Sequence, residues 1–220
     1  MADCKQNLYR KMKVLVINGS PHLSGCTDRA LREVENTLHE NGVETERVEV
    51  GNIAVRGCVG CNFCNEHGCC VFNDLVNETA PKFAEANGLL IGSPVYYAGA
   101  NGQLLAFLDR LFYSTAGAFD KAMKVGAAVV SSRRAGSTSA FDELNKYFGI
   151  SAMPVISSTY WNEVHGFTAQ DVEADSEGLQ TMRNLGKNMA FLMKAIEAAA
   201  KEKSLPLQER GAFTNFMPSR

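Results

Sequence analysis

Five cysteines, Cys58, Cys61, Cys64, Cys69 and Cys70, fall within thirteen residues of a 220-residue chain that has seven in all. An odd total argues against a disulfide framework, which uses its thiols in pairs. A chain of this size buries most of the surface its unfolded form exposes and needs no covalent staples. Clustered thiols then point to metal or redox chemistry in a reducing compartment. The N-terminal MADCKQNLYRKMK has basic residues but no apolar stretch of signal-peptide length behind it, and the nearest apolar run, Val14 to Ile17, is strand-sized. The expectation is a cytoplasmic protein without a membrane span.

Three other segments have residue types suited to holding a ligand. The first, Ser20 to Thr27, lies between an apolar run and a helical pattern, where free backbone N–H groups and the positive end of a helix dipole attract anions. Ser20, Ser24 and Thr27 add hydroxyl donors, and no Lys or Arg lies among them. The segment lacks the Gly-Lys-Ser/Thr ending of a nucleotide-hydrolase loop and is not Gly-x-Gly-x-x-Gly. A plain βα turn with a hydroxyl cap is the competing reading. The second, Ser93-Pro94-Val95-Tyr96-Tyr97, offers two amphipathic rings for the wall of a flat aromatic ligand, with simple rim packing as the alternative. The third supplies Ser132, Arg133, Arg134 and Gly136; its arginines suit an electron-rich ring or a phosphate, or are a solvated pair.

These segments need a frame, and the chain reads as an alternation of strands and helices. Lys13 to Ile17, Gly88 to Gly92 and Val125 to Val130 are short apolar runs of the kind buried on both faces of a sheet. Val43 to Val50 reads as a second strand and Met153 to Ser157 as a fifth. Between them Leu31, Val34 and Leu38, then Leu104, Leu108, Leu111 and Phe112, then Phe141, Leu144 and Phe148 recur at helical spacing. A helix from about Asp74 to Asn87 is expected to be interrupted at Pro81. A long last helix from Glu177 shows Leu179, Met182, Leu185, Met189, Leu192 and Ile196 on one stripe. The pattern predicts a doubly wound, mainly parallel five-stranded α/β sheet, with the three segments at the carboxyl ends of its strands. The expected organisation is an extension over 1–12, one domain over 13–203 and a polar tail over 204–220. With a net charge of −2 and interspersed signs, the chain has neither the basic stripe of a nucleic-acid binder nor a polybasic membrane anchor.

Taken together, several runs resemble the NADPH-dependent FMN reductases and iron–sulfur flavoproteins. They are Asn18-Gly-Ser-Pro-His22 with Gly25-Cys-Thr27, Gly92-Ser-Pro-Val-Tyr-Tyr97, Gly102-Gln-Leu-Leu-Ala-Phe-Leu-Asp-Arg110, Ser131-Ser-Arg-Arg-Ala-Gly136, Tyr160-Trp-Asn-Glu-Val-His-Gly166 and Glu177-Gly-Leu-Gln-Thr-Met-Arg183. The resemblance spans Met12 to Phe216 and implies a flavodoxin-like fold with helices on both faces of the sheet and FMN at the strand ends. By position, Ser20, His22, Ser24, Cys26 and Thr27 would cradle the phosphate; Pro94, Val95, Tyr96, Tyr97 and Ala98 would border the ring; Ser132, Arg133, Arg134 and Gly136 would close its other side. Relatives of this kind form homodimers or homotetramers, and the tail, Thr214-Asn-Phe-Met-Pro218, departs from the family's Thr-Asn-Phe-Ile-Arg ending. For Tyr160, Trp161, Asn162 and His165, a place near the flavin or a subunit contact competes with packing at the sheet edge. Cys26, at a helix N-terminus, is either an acidified thiol or a small residue filling the turn.

Cys58-x2-Cys61-x2-Cys64-x5-Cys70 matches the compact cysteine motif of iron–sulfur flavoproteins, with Cys69 as a spare or a substitute for Cys70. Four soft thiolates can satisfy a 4Fe–4S cluster, the same four can hold zinc, and free or redox-labile thiols are the third reading. The resemblance implies an NAD(P)H-dependent oxidoreductase. Its chemistry is carried by N5 of FMN and needs no catalytic side chain, and its acceptor is a quinone, a nitro or azo compound, a flavin, an iron centre or a redox protein. The alternative is an electron carrier fed by ferredoxin, and a flavin-free thiol-sensing module is a third.

Overall fold

A computed structural model describes residues 12–209 together with 211, 212 and 214. The N-terminal extension over 1–11 and the end of the tail, including Phe213 and 215–220, lie outside the described residues.

Five strands form one sheet: β1 (Lys13–Asn18), β2 (Glu44–Glu49), β3 (Gly88–Pro94), β4 (Val125–Ser132) and β5 (Glu163–His165). Their order is β2-β1-β3-β4-β5 and every pairing is parallel. The apolar runs are continuous because both faces are covered. Leu15, Ile17, Leu89, Ile91, Ala128 and Val130 face one layer, made by α3 (Leu75–Glu85), α4 (Gly102–Ser114) and α5 (Ser137–Ile150) through Phe83, Phe107, Leu111, Leu144 and Phe148. The alternate residues Val14, Val16, Leu90, Ala127 and Val129 face α1 (Cys26–Glu40) and α7 (Ser176–Glu202) through Leu31, Val34, Leu38, Met182, Leu185 and Met189. Successive strand residues point to opposite faces, so one short run serves two cores. The flavodoxin-like α/β fold is therefore laid down by apolar strand runs and helix stripes.

The chain leaves β1 for one face, into α1, and leaves β3 for the other, into α4. Adjacent strands whose following helices diverge leave a crevice between their carboxyl ends. That crevice positions the site.

Three expectations need correction. Met153 to Ser157 is not a strand: Val155 makes only an isolated bridge to Gly126, and the fifth strand is Glu163–His165. Pro154 has no N–H to give a ladder, and the chain leaves β4 after Ile156 N donates to Gly126 O (2.8 Å), returning where Glu163 pairs with Val130. Pro81 does not interrupt α3, which runs through it. Two short helices were not expected, α2 (Phe63–His67) in the cysteine segment and α6 (Ala169–Ala174). Among the described residues no helix is long and apolar enough to cross a membrane.

Candidate functional site

At the carboxyl end of the sheet a cleft of about 790 Å³ opens between the loops after β1, β3, β4 and β5. Ser20, His22, Ser24, Cys26, Thr27, Pro94, Val95, Tyr96, Ser132 and Arg133 all line it. The sheet thus gathers ten of the fourteen residues expected there. Its size suits a drug-sized or cofactor-sized ligand.

The first loop is held by side chains from β1, from the loop itself and from the start of α4. Ser20 N donates to Asn18 Oδ1 (3.0 Å), His22 N donates to Ser20 Oγ (3.2 Å), and Asn101 Nδ2 donates to Gly19 O (2.7 Å). Gly25 is the residue just before α1, and no side chain caps the helix. The first N–H groups of a fifteen-residue helix therefore face the cleft without intrahelical acceptors. Thr27 Oγ1 and Ser131 Oγ share a hydrogen bond of 2.8 Å across the floor. Beside them the Ser132 hydroxyl is buried and has no hydrogen-bond partner. An orphaned buried hydroxyl and an uncapped helix start are donors in want of an acceptor. Arg133 is the sole Lys or Arg among the described lining residues. The donor set therefore fits a phosphate held mainly by neutral groups, with a flat ring beside Val95 and Tyr96.

Four expected residues stand outside the lining: Tyr97, Ala98, Arg134 and Gly136. Tyr96 N donates to Gly99 O (2.9 Å) and Gly99 N to Tyr96 O (3.0 Å), closing a tight turn whose central residues Tyr97 and Ala98 have φ of 50° and 62°. That left-handed turn throws the Tyr97 ring fully into solvent. Gly136, at φ 89°, lets the turn lie against α5: a Cβ there would sit 2.8 Å from Ala98 Cα. The glycine permits that close approach. Arg134 is exposed.

One wall was missed by sequence reasoning: Gly166, Phe167, Thr168, Ala169 and Gln170, following β5. Its signal was present in Thr168-x-x-Asp171. The Thr168 hydroxyl accepts from Asp171 N and the Asp171 carboxylate accepts from Phe167 N and Thr168 N, a capping box that starts α6. Those backbone bonds hold the Asp171 carboxyl below the usual range. Cys26 packs against the wall that follows β5. Its thiol donates to Gly166 O (3.4 Å), and burial, followed by the Asp171 charge, pushes it up instead of acidifying it. Tyr160 and Trp161 lie half-exposed outside the cleft, edge to face at 4.6 Å, and Asn162 is buried beside Ser158. His165 N donates to Asp175 Oδ2 (2.7 Å), which leaves its ring at the edge.

The cysteine segment lies apart from this cleft. Cys58, Cys61, Cys64 and Cys70 line one small hollow with Val59, Val71, Phe72, Arg110 and Tyr113, and Cys69 is not part of it. Burial pushes the Cys64 thiol up, helped by the neighbouring Cys61, Cys70 and Cys58. Cys58 and Cys61 are exposed, and among the described residues no three His, Cys, Asp or Glu side chains stand close enough to share a metal ion. The donors fit a soft metal or cluster in kind and in facing a common hollow. Closing on one requires the two exposed thiols to turn inward.

Arg110, also missed, lies under this hollow. It donates to Asp74 (2.7 and 2.9 Å). Burial works to raise the Asp74 carboxyl, but Arg110 and the Val76 N–H overcome it and hold the group below its ordinary value. A carboxyl with a depressed folded pKa stabilises the fold above its unfolded pKa, near 3.9, and that contribution is lost as pH falls toward the folded value. Asp74→Asn should therefore melt lower than the native protein at pH 7, with the gap closing below about pH 4. Melting both proteins across pH 2 to 7 checks this; a gap that stays constant would contradict it.

A family model described as NADPH-dependent FMN reductase matches residues 12–168. An iron–sulfur flavoprotein of Methanocaldococcus jannaschii is 37% identical over 193 residues, covering 84% of this chain and all of that protein. An iron–sulfur flavoprotein of Methanosarcina thermophila is 28% identical over 188 residues, covering 84% of this chain and 97% of its own length. The solved structure of a flavodoxin from the Archaea superposes with a TM-score of 0.57 at 17% identity, covering 83% of this chain and 99% of that one.

Proposed function

The chain belongs to the NADPH-dependent FMN reductase family, and from that premise we propose that it is an FMN-dependent oxidoreductase drawing electrons from NAD(P)H. The acceptor is a small quinone, nitro or azo compound, a flavin, or an iron centre. The observation that carries the reading is the buried, partnerless Ser132 hydroxyl beside the uncapped start of α1 in one strand-end cleft. Bound FMN supplies a ring that takes a hydride from a nicotinamide and releases electrons singly or in pairs.

The chain's own residues bind and orient. The N–H groups at the start of α1, with Ser20, Ser24 and Thr27, hold the phosphate. Val95 and Tyr96 border the ring, and Ser132 donates to it or to its side chain. Arg133, with its guanidinium 5.6 Å from the centre of the Phe167 ring, keeps positive charge at the mouth where an anionic nicotinamide nucleotide would approach. Hydride transfer to a flavin asks for no acid–base pair.

A second reading is favoured by the four thiols around one hollow and by the iron–sulfur flavoproteins among the relatives. Cys58, Cys61, Cys64 and Cys70 would hold a 4Fe–4S cluster, supplying one-electron exchange with a carrier such as ferredoxin. One experiment separates the readings. FMN-loaded protein is titrated anaerobically with NADPH, with NADH and, separately, with reduced ferredoxin, while the visible flavin absorbance is followed. Bleaching by a nicotinamide is expected. Bleaching by ferredoxin alone would replace the reductase with the carrier, and a protein that takes up no FMN at saturation would overturn both.

A further inference from the structure

The geometry points to Arg110 as a positioning residue for the cysteine hollow: it grips the Cys70 sulfur from inside the fold and sets the reduction potential of a cluster held there. This inference rests on the cluster reading of the four thiols given above.

Arg110 sits on α4 between Leu108 and Leu111, and its side chain has no exposed surface. A guanidinium taken out of water needs an acceptor for each of its N–H groups and a counter-charge. Asp74 supplies the charge, and the carbonyls of Arg56 (3.2 Å) and Phe72 (3.3 Å) accept from the two terminal nitrogens. The remaining edge is spent on sulfur: Nε and Nη2 donate to Cys70 Sγ at 3.3 and 3.2 Å. A thiol is a weak acceptor, a poor match for two donors of a buried cation. A metal-bound thiolate is a strong one. Nη2 also has Phe72 O and Asp74 Oδ1, so Nε is the donor that depends on the sulfur, and a ligand thiolate satisfies it better than a thiol does.

The backbone of Cys70 is fixed as well. Its N–H donates to Asn77 Oδ1 (2.9 Å), and Asn77 Nδ2 donates back to Cys70 O (2.9 Å). Cys70 is thus pinned at backbone and sulfur, whereas Cys58 and Cys61 are exposed on a segment without strands. Cys70 is the fixed corner, and the other thiols close toward it. The same geometry selects Cys70 over Cys69 as the fourth ligand.

Hydrogen bonds and positive charge at the sulfurs favour the reduced cluster and raise its potential. The test uses full-length protein reconstituted anaerobically with iron, sulfide and FMN, as native, R110K, R110Q and D74N forms. Iron and acid-labile sulfide are quantified, and the cluster and flavin midpoints are read in one redox titration. R110Q should shift the cluster midpoint negative, with R110K between it and native and the flavin midpoint unchanged. Iron should leave R110Q about 10–100-fold faster in a chelator. D74N keeps the grip on Cys70 and loses the counter-charge, so its midpoint should shift positive although it melts lower. A merely structural Arg110 would make D74N and R110Q shift alike. That result, or an R110Q midpoint equal to native in protein that loads fully, overturns the inference alone. Native protein that takes up no iron and sulfide overturns the cluster reading and this inference together.

Discussion

Gly51→Ala is expected to weaken FMN binding about 100-fold although residue 51 touches no ligand-binding side chain. The turn after β2 is tied to the end of β1: Val50 N donates to Asn18 O at 2.8 Å and Gly51 N to the same oxygen at 3.3 Å. A Cβ at Gly51 would lie 2.2 Å from Gly19 O, 2.2 Å from the Ser20 carbonyl carbon and 2.4 Å from the Gly19 carbonyl carbon. All three are backbone atoms, so no rotamer change relieves the clash, and the loop must shift by about an ångström to reach ordinary contact. Ser20 then loses its place over Asn18 and His22 its place over Ser20. Two misplaced hydrogen bonds to a charged phosphate, at about 1.5 kcal/mol each, correspond to about 100-fold in affinity. Gly57 is the control, because a Cβ there meets nothing within 4 Å. Fluorescence titration of the apoproteins with FMN reads the result. Gly51→Ala binding FMN as tightly as Gly57→Ala would mean that the loop after β1 does not cradle the phosphate.

Such a dependence is invisible in the sequence, where Gly51 is one more glycine after a strand. What sequence reads well is the periodicity that burial imposes. Val14 to Ile17, Leu89 to Ile91 and Val125 to Val130 are apolar throughout because each strand feeds two cores, and the loops after them were placed correctly at the sheet edge. The fifth strand failed because its edge position is shared by two pieces of chain. Val155 and Ile156 meet only Gly126, and the three-residue β5 offers a single apolar side chain, Val164. A strand that short has no period to detect. Tyr97 lies outside the cleft lining for a different reason: its type suits a ring wall, but a left-handed turn decides where it points, and neither central residue is a glycine that would have announced one.

The cysteine segment shows a subtler limit. Spacing marks four thiols that can meet, and the fold does bring those four around one hollow while leaving out Cys69. Spacing does not reveal which thiol is anchored. That depends on a cation lying 40 residues away on an otherwise apolar helix face, where Arg110 between Leu108 and Leu111 was the readable anomaly. A charged residue in an apolar helical stripe signals a buried partner.

The same logic, turned to the other side of the sheet, gives the largest expected effect on stability, Arg47→Met. Arg47 on β2 reaches across to α1 and bonds both Asp28 and Glu35, whose side chains are only 4% and 11% exposed. Its removal leaves Glu35 without a cation and Asp28 with the half-exposed Arg32 alone. Breaking a buried pair from one side costs about 3–5 kcal/mol. For a chain of this length the melting point should fall by roughly 6–20 °C at pH 7. Glu35→Gln in the Arg47→Met background should recover part of the loss, since an amide tolerates burial without a counter-charge. Asp28 also sits in the first turn of α1, beside the proposed phosphate site, so its freed charge should lower FMN affinity as well. Melting at pH 7 with an FMN titration of both variants decides the matter; an Arg47→Met protein melting within about 2 °C of native would show that the network Arg47 forms with Asp28, Glu35 and Glu49 contributes far less than its burial implies.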